Sequence, residues 1–402
     1  MNNRILVINC GSSSLKFALM EPEHGRNLIS GIAERLGTAE AQLVWRKENS
    51  KNTQPIPQAK HKEAMQAIID VLSTQQLLAE PLAAVGHRVV HGGEAFTAST
   101  IIQEDVLAAI ESCNHLAPLH NPANVIGIRT AMALFPNVPQ VAVFDTAFHQ
   151  TLPPHAYLYP VPYDLYLEQG VRRYGFHGTS HRYVTEQAAE RLQRPYHSSR
   201  FLSAHLGNGC SATAVTNGQS VDTTMGLTPL EGLMMGTRSG DVDPSLHQFL
   251  HNTLGYNIDR VTQMLNKESG LLGISQLSND MRTLEEAADE GHELASLAIE
   301  IFCYRLAKSL AGLAVPLGQV DALIFTGGIG ENSPLVRQKT LQHLRLLGYQ
   351  IDDGRNRVNG RDTNGIITTE NSPIAIVIPT NEELMIAKDS LSLVQNKHQA
   401  RK

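Results

Sequence analysis

Two arginines lie in loops flanked by glycine: Arg88 in Gly86-His87-Arg88-Val89-Val90-His91-Gly92-Gly93, and Arg238 in Gly236-Thr237-Arg238-Ser239-Gly240. A guanidinium is a planar fork of donors that matches carboxylate and phosphoryl oxygens, and the glycines point to ordered loops rather than surface ion pairs. Asp145 closes the apolar run Gln140–Phe144. That is the strand end where α/β folds place catalytic carboxylates, and also a place where aspartate caps helices. Glu382 follows Asn381 at another strand end, suited to hold Mg2+ through water or to serve as N-terminal helix charge. Histidines are dense, with His149, His177, His181 and His205 among them. His177 and His181 have metal-ligand spacing only on a helix, whereas Gly178 and Thr179 predict a loop there. The pattern favours one histidine acting on a charged intermediate and structural hydrogen bonds for the others.

Phosphate chemistry is suggested at three places. In the opening stretch, Ile5–Ile8 reads as a buried strand, Asn9 and Gly11 as a turn, and Leu15, Phe17 and Leu19 as an outgoing strand. A period of two then places Ser12, Ser14 and Lys16 on one face. Hydroxyls, backbone amides and a cation around a tight turn suit a polyphosphate with its metal; the same residues also describe a solvated hairpin. Phe201–Leu206, the corner Gly207-Asn208-Gly209 and Ser211–Val215 repeat the pattern. Gly207-x-Gly209-x-x-Ala212 matches a relaxed dinucleotide fingerprint, but a strand follows where that fingerprint needs a helix, which rules against a dehydrogenase. His205, Asn208 and Gly209 remain candidates for phosphate contact. Third, strand Ala322–Thr326 runs into Gly327-Gly328-Ile329-Gly330-Glu331-Asn332-Ser333-Pro334, which opens a helix. Glycines admit a ligand close to the backbone and a helix start favours anions, though no Walker lysine follows.

The elements that must carry these residues indicate a mixed α/β protein. Further strands are expected at Leu28–Glu34, Gln42–Trp45, Ala83–His87 and Ile374–Ile378, and helices at Ala64–Leu72, Val106–Ile110, Val125–Leu134, Ile258–Leu265 and Leu284–Leu313, with a polar patch around Pro55 and Pro57. The repeated strand–corner–strand predicts a duplicated domain with two phosphate-facing hairpins opposed across a cleft, which suits 402 residues. A net charge of −6 gives no basic excess for nucleic acid or a membrane surface, and no run reaches the ~18 apolar residues of a membrane span. Four cysteines without Cys-x-x-Cys, and no signal peptide, point to a cytoplasmic protein.

Taken together, the stretches resemble the acetokinase family of short-chain carboxylate kinases. The resemblance is carried by Val7–Lys16, Gly86–Gly93, Leu116–Pro122, Phe144–His149, Tyr174–His181, His205–Gly209, Thr228–Gly232, Gly236–Gly240, Phe325–Asn332 and Pro379–Glu383, essentially end to end. It implies duplicated ribonuclease-H-like domains of the actin and sugar-kinase type: 1–149 plus 384–402, and a nucleotide-binding domain 150–383. It implies a homodimer that transfers a phosphoryl group reversibly from ATP to acetate, giving ADP and acetyl phosphate, with Mg2+ or Mn2+. By motif position Asn9 and Glu382 would serve the metal, and Ser12, Ser14 and Lys16 the phosphates. His205, Leu206, Gly207, Asn208 and Gly209, with Asp280, Met281 and Arg282, and Gly328, Ile329, Gly330, Glu331 and Asn332, would line the nucleotide. Arg88 would bind the carboxylate, Asp145 would be the catalytic carboxylate, and His177 and Arg238 would stabilise the transition state. Val90, Leu119, Phe176 and Pro229 would enclose the substrate methyl. Asp280–Arg282 are marked by the resemblance alone.

Transfer is expected to be direct and in line. A small carboxylic acid with a pKa of about 4.3 is ionised at neutral pH and needs no general base, so Asp145 is expected to orient the metal, waters or an arginine, although the family gives it an acid–base role. Asp241-Val242-Asp243-Pro244-Ser245 favours acetate, with propionate accepted. Three alternatives frame this reading: a propionate kinase of the same family, a non-catalytic actin-like ATP-dependent clamp, and a metal-dependent hydrolase built on the histidines.

Overall fold

The computed structural model describes residues 3–118 and 120–399. The chain forms two compact units, Met1–Phe148 with Asn381–Lys402, and His149–Thr380.

In the first unit, β1 (Ile5–Cys10) turns back into β2 (Ser14–Glu21), which pairs with β3 (Arg26–Glu34), β4 (Gln42–Lys47) and β5 (Ser50–Pro55) in antiparallel succession. On its other side β1 runs parallel to β6 (Ala84–Val89), and β6 parallel to β8 (Gln140–Phe144), with the short β7 (Thr100–Ile101) at the edge. The carboxyl ends of β1, β6 and β8 therefore share one edge of the sheet, where open α/β sheets gather their ligand contacts. Asn9, Arg88 and Asp145 stand there. One face carries the apolar side chains Leu6, Ile8, Leu15, Phe17 and Leu19, packed with Ile68 and Leu72 of helix His61–Thr74. Burying them supplies about 25 cal/mol per Å2 of apolar surface. Helix Glu382–Gln399 packs on β1 and β6. Gly86 permits its close approach, since a Cβ there would lie 2.5 Å from Ser390 Oγ.

The second unit holds β9 (Arg200–Leu206), β10 (Cys210–Thr216), β11 (Gln219–Thr223), β12 (Ala322–Thr326) and β13 (Ala375–Val377) in the order β11-β10-β9-β12-β13. β9, β10 and β11 are antiparallel, whereas β9, β12 and β13 are parallel. This third-second-first-fourth-fifth order, with the same strand directions, is that of β3-β2-β1-β6-β8 in the first unit. The strand–corner–strand repeat is thus the visible part of a whole-domain duplication, each unit having the ribonuclease-H-like arrangement.

Five expectations need correction. Arg88 lies on strand β6, one residue from its end, and not in a loop. The polar patch before Pro57 is strand β5, exposed throughout; it is an edge strand, so no apolar alternation marks it. The span 284–313 is two helices, Met281–Asp289 and Glu293–Leu313, divided at Gly291, whose φ of 93° no helix accommodates. Gly178 and Thr179 begin helix Gly178–Arg191 instead of a loop; His177, at φ 55° and ψ 23°, takes the non-helical position before it. Ser12 lies in the exposed corner and not on β2, so only Ser14 and Lys16 share the strand face.

Candidate active site

In the first unit the register sets Arg88 beside Val143 and Asp145 just past the end of β8. Arg88 Nε donates to Asp145 Oδ1 at 2.9 Å and Nη2 to Oδ2 at 2.6 Å, a bidentate pair. Asp145 is 2% exposed and its N–H donates to Val89 O, whereas the Arg88 side chain keeps 22% of its surface open. Burial works against the Arg88 cation, but the Asp145 carboxylate overrides it and the guanidinium pKa rises. Half-buried Glu382 feels Arg88, Asp145, Glu383 and Lys16; burial is the largest influence and pushes its carboxyl upward despite Arg88. A cation would relieve that cost.

Asn9, Asp145 and Glu382 offer oxygen donors only, which suits a hard ion such as Mg2+ or Mn2+. Among the described residues no group of three His, Cys, Asp or Glu side chains forms a metal cage. The residues therefore fit an ion held by one or two protein oxygens together with water and phosphate, the usual way Mg2+ is bound.

The corner 11–13 is built to stay open. Gly11 N–H donates to Ser14 O at 2.8 Å, Leu36 N–H donates to Ser13 O at 3.0 Å, and His61 Nε2 lies 2.7 Å from Gly11 O. Lys16 is exposed on β2 opposite Asn9.

In the second unit the corner Gly207–Gly209 joins β9 to β10. A Cβ on Gly209 would lie 3.5 Å from Arg238 Nη1 and also 3.5 Å from His177 Nε2 and Cε1. Glycine therefore keeps open the space that an arginine and a histidine face together. Arg238 Nη1 also donates to Pro229 O at 2.9 Å, and burial lowers the guanidinium pKa. The His177 ring stacks on His205 with centroids 4.4 Å apart, and His177 Nδ1 lies 2.9 Å from Ser211 Oγ.

The segments marked for the nucleotide meet at the end of β9. Asn279 Nδ2 donates to Asn208 Oδ1 at 2.9 Å, tying the 207–209 corner to the turn before Asp280. Asp280 caps helix Met281–Asp289 by accepting Thr283 N–H, Met281 is buried, and Arg282 is exposed and paired with Glu286. Glu285 of that helix accepts from Ser333 Oγ just after helix Gly327–Asn332. Gly327, at φ 77°, lies against the Leu206 backbone, where a Cβ would be 2.7 Å from Leu206 O. Nothing would meet a Cβ on Gly328, so that face of the loop is open. Glu331 Oε1 accepts from Gly327 N and Thr380 N, and Asn332 Nδ2 donates to Gly328 O. His205, Leu206, Gly207, Asn208, Gly209, Asp280, Gly328, Ile329 and Gly330 thus belong to one neighbourhood. Of the methyl-enclosing set, Val90 is buried in the first unit and Phe176 in the second, Pro229 is half-buried, and Leu119 lies outside the described residues.

A model of the acetokinase family matches residues 4–388. The chain belongs to the acetokinase family. It is 54% identical over 395 residues to the acetate kinase of Shewanella sp. (strain ANA-3), covering 98% of this chain and 99% of that one. A solved propionate kinase from Francisella tularensis subsp. tularensis SCHU S4 superposes with a TM-score of 0.93 at 47% identity, covering 97% of this chain and 99% of that one. The Porphyromonas gingivalis acetate kinase structure gives 0.91 at 42% identity, covering 98% of this chain and 100% of the other. As an acetokinase the chain is a phosphotransferase with an actin and sugar-kinase type fold, which sets aside both the non-catalytic clamp and the histidine hydrolase.

Several residues that brace this candidate site carry little or no local sequence signal. Asn124 accepts from Val90 N–H and donates to Cys10 O at 2.7 Å, tying the end of β1 to the end of β6; Asn121 brackets the backbone of His91 in the same way. The Asn-Pro start of helix Asn121–Leu134 was their one visible signal. Arg337 is fully buried and donates to Gly330 O, Glu331 O, Asn356 and Asn359, bracing the glycine loop from behind. No local pattern announces it.

Proposed function

We propose that the chain transfers the terminal phosphoryl group of ATP reversibly to acetate, with propionate as a poorer substrate. The observation that carries this reading is the bidentate Arg88–Asp145 pair: a guanidinium already aimed by a buried carboxylate and still partly open to solvent. Arg88 binds the substrate carboxylate, and Asp145 directs Arg88 rather than moving a proton. His177 and Arg238 donate to oxygens of the transferring group, on which negative charge spreads in the transition state. Ser12, Ser14 and Lys16, with the corner Gly207–Gly209, hold the phosphates. Gly328–Asn332 and Asp280–Arg282 hold the nucleoside. Asn9 and Glu382 hold Mg2+, which when bound neutralises phosphate charge.

Val90, Phe176, Pro229 and Leu119 set the substrate size. One methylene is worth about 0.8 kcal/mol of burial, and pockets separate such pairs by roughly 10–200-fold. The relation to a solved propionate kinase at 47% identity is what favours propionate as the second reading. Trapping the acyl phosphate as a hydroxamate while measuring kcat/KM for acetate, propionate and butyrate tests both. Acetate first and butyrate last is expected, and a butyrate preference would overturn the assignment.

The protein is proposed to act as a cytoplasmic homodimer. Exposed Phe249, Leu254 and Ile258 supply apolar surface for a partner copy. The four cysteines are free and buried, and no described helix is long and apolar enough to cross a membrane. Light scattering showing a monomer at micromolar concentration would refute the dimer.

A further inference from the structure

A tyrosine, an arginine and a glutamate from three separate stretches of the second unit meet beside Pro229. Arg173 Nη2 donates to Glu231 Oε1 at 2.6 Å, and its Nη1 donates to Thr223 O, Thr224 O and Met225 O at 2.7, 3.0 and 3.2 Å. The Tyr159 hydroxyl donates to the other carboxylate oxygen, Glu231 Oε2, and accepts Leu227 N–H at 2.7 Å. Burial, followed by the nearby Glu231 carboxylate, pushes the phenol pKa above its ordinary value, so the hydroxyl keeps the proton it donates. Gly226 makes the meeting possible, because a Cβ there would overlap both Glu231 Oε2 and Tyr159 Oη.

These bonds straddle Pro229 along the chain. Leu227 lies two residues before it and Glu231 two residues after, so one hydroxyl clips both sides of the loop. The Pro229 carbonyl inside that loop accepts Arg238 Nη1 at 2.9 Å. Tyr174 and Gly175 N–H both donate to Gly226 O, at 3.1 and 3.3 Å, which docks the segment leading to His177 on the same loop. Glu231 and Arg173 keep 30% and 18% of their side-chain surface open, so removing the hydroxyl strands no fully buried charge.

We propose that Tyr159 and Glu231 are positioning residues for phosphoryl transfer: with Arg173 they fix the Pro229 carbonyl, and through it the direction in which Arg238 presents its remaining donors. This rests on the phosphoryl-transfer reading of the site and adds the side chains that aim Arg238.

The test is a double-mutant cycle read by kcat, together with hydrogen exchange of residues 226–232 measured by mass spectrometry on the full chain. Tyr159→Phe keeps the ring and removes the hydroxyl. It should speed exchange in 226–232 and lower kcat about tenfold, the effect of one hydrogen bond, with both KM values within about twofold. In the Arg238→Lys background, where the Pro229 carbonyl no longer holds a fork, the same substitution should change kcat by less than about twofold. A merely structural role would carry the full loss into that background, and this would overturn the proposal. So would an unchanged kcat in the single variant, or unchanged exchange of 226–232. Glu231→Gln keeps the side-chain shape, weakens the bond to Arg173, and should show the same dependence on Arg238; it carries the cycle if Tyr159→Phe fails to fold. If the wild type formed no acyl phosphate, the functional reading would fail on its own, while the exchange data would still show whether Tyr159 holds the loop.

Discussion

Arg88 and Asp145 come from neighbouring parallel strands and meet through two hydrogen bonds of 2.9 and 2.6 Å, with the carboxylate almost fully buried and the guanidinium partly open. The pair separates two tasks. Asp145 is anchored by its own N–H to Val89 O and cannot reach outward, while Arg88 keeps donors to offer. Replacing the carboxylate with an amide should cost one charge-assisted bond, about 1.5–3 kcal/mol. We expect Asp145→Asn to lower kcat/KM for acetate roughly 10–100-fold, and the pH–rate profile to keep both limbs. If instead one limb vanished while acetate and metal affinities held, Asp145 would be moving a proton.

Gly209 and Gly236 separate steric from structural effects. A Cβ on Gly209 makes ordinary 3.5 Å contacts with Arg238 and His177 and occupies the space they face, so Gly209→Ala should fold with an unchanged Tm and lose activity by about 100-fold or more. A Cβ on Gly236 would sit 2.1 Å from Asn208 Oδ1 and force that side chain away from Asn279. Gly236→Ala should therefore lower Tm and weaken nucleotide binding. Thermal melts with ATP analogue titrations distinguish the two; an active Gly209→Ala enzyme would refute the placement of the phosphoryl group.

How far this site could be read from sequence depended on whether a residue announces itself locally. Arg88, Arg238 and the two corners were legible because glycine beside a polar residue, at the end of an apolar run, has few other uses. The duplication was legible because strand, corner and strand follow one another without a gap. Asn124, Ser211 and Arg337 were not, because their partners lie 114, 30 and 19 residues away in sequence, and only the fold brings Cys10, His181 and Asn356 to them. The helix that starts at Gly178 was misread for a related reason. Glycine and threonine have weak intrinsic helix propensity, and it is tertiary bonding of His177, Ser180 and His181 that fixes the helix there.

Arg238 supplies a fork and not merely a charge. One of its nitrogens is committed to Pro229 O, which aims the rest of the group. Arg238→Lys keeps a cation but cannot hold that carbonyl and also present a second donor in the same plane. A kcat loss of about 100-fold is expected, with nucleotide affinity nearly unchanged. Burial lowers the pKa of the cation at this position, and a lysine starts lower, near 10.4. Residual activity of the variant should therefore decline as pH rises above neutrality while that of the parent does not, which parallel pH–rate curves would check.

Glu331 braces the glycine loop through one oxygen that accepts from Gly327 N and Thr380 N, and burial raises its pKa above the ordinary value despite those bonds. A carboxyl whose folded pKa is raised binds its proton more tightly in the folded state than in the unfolded one. Between the ordinary glutamate value and the raised one, stability therefore falls as pH increases, and the full cost is present above the raised pKa. Glutamine keeps the accepting oxygen and removes the charge. Glu331→Gln should accordingly melt higher than the parent at pH 8 and lose that advantage as the pH approaches 4, where the parent is protonated too. Melting curves across that range decide it. A variant less stable than the parent at pH 8 would mean that the two backbone bonds need the full carboxylate charge, and that the loop is held by electrostatics more than by shape.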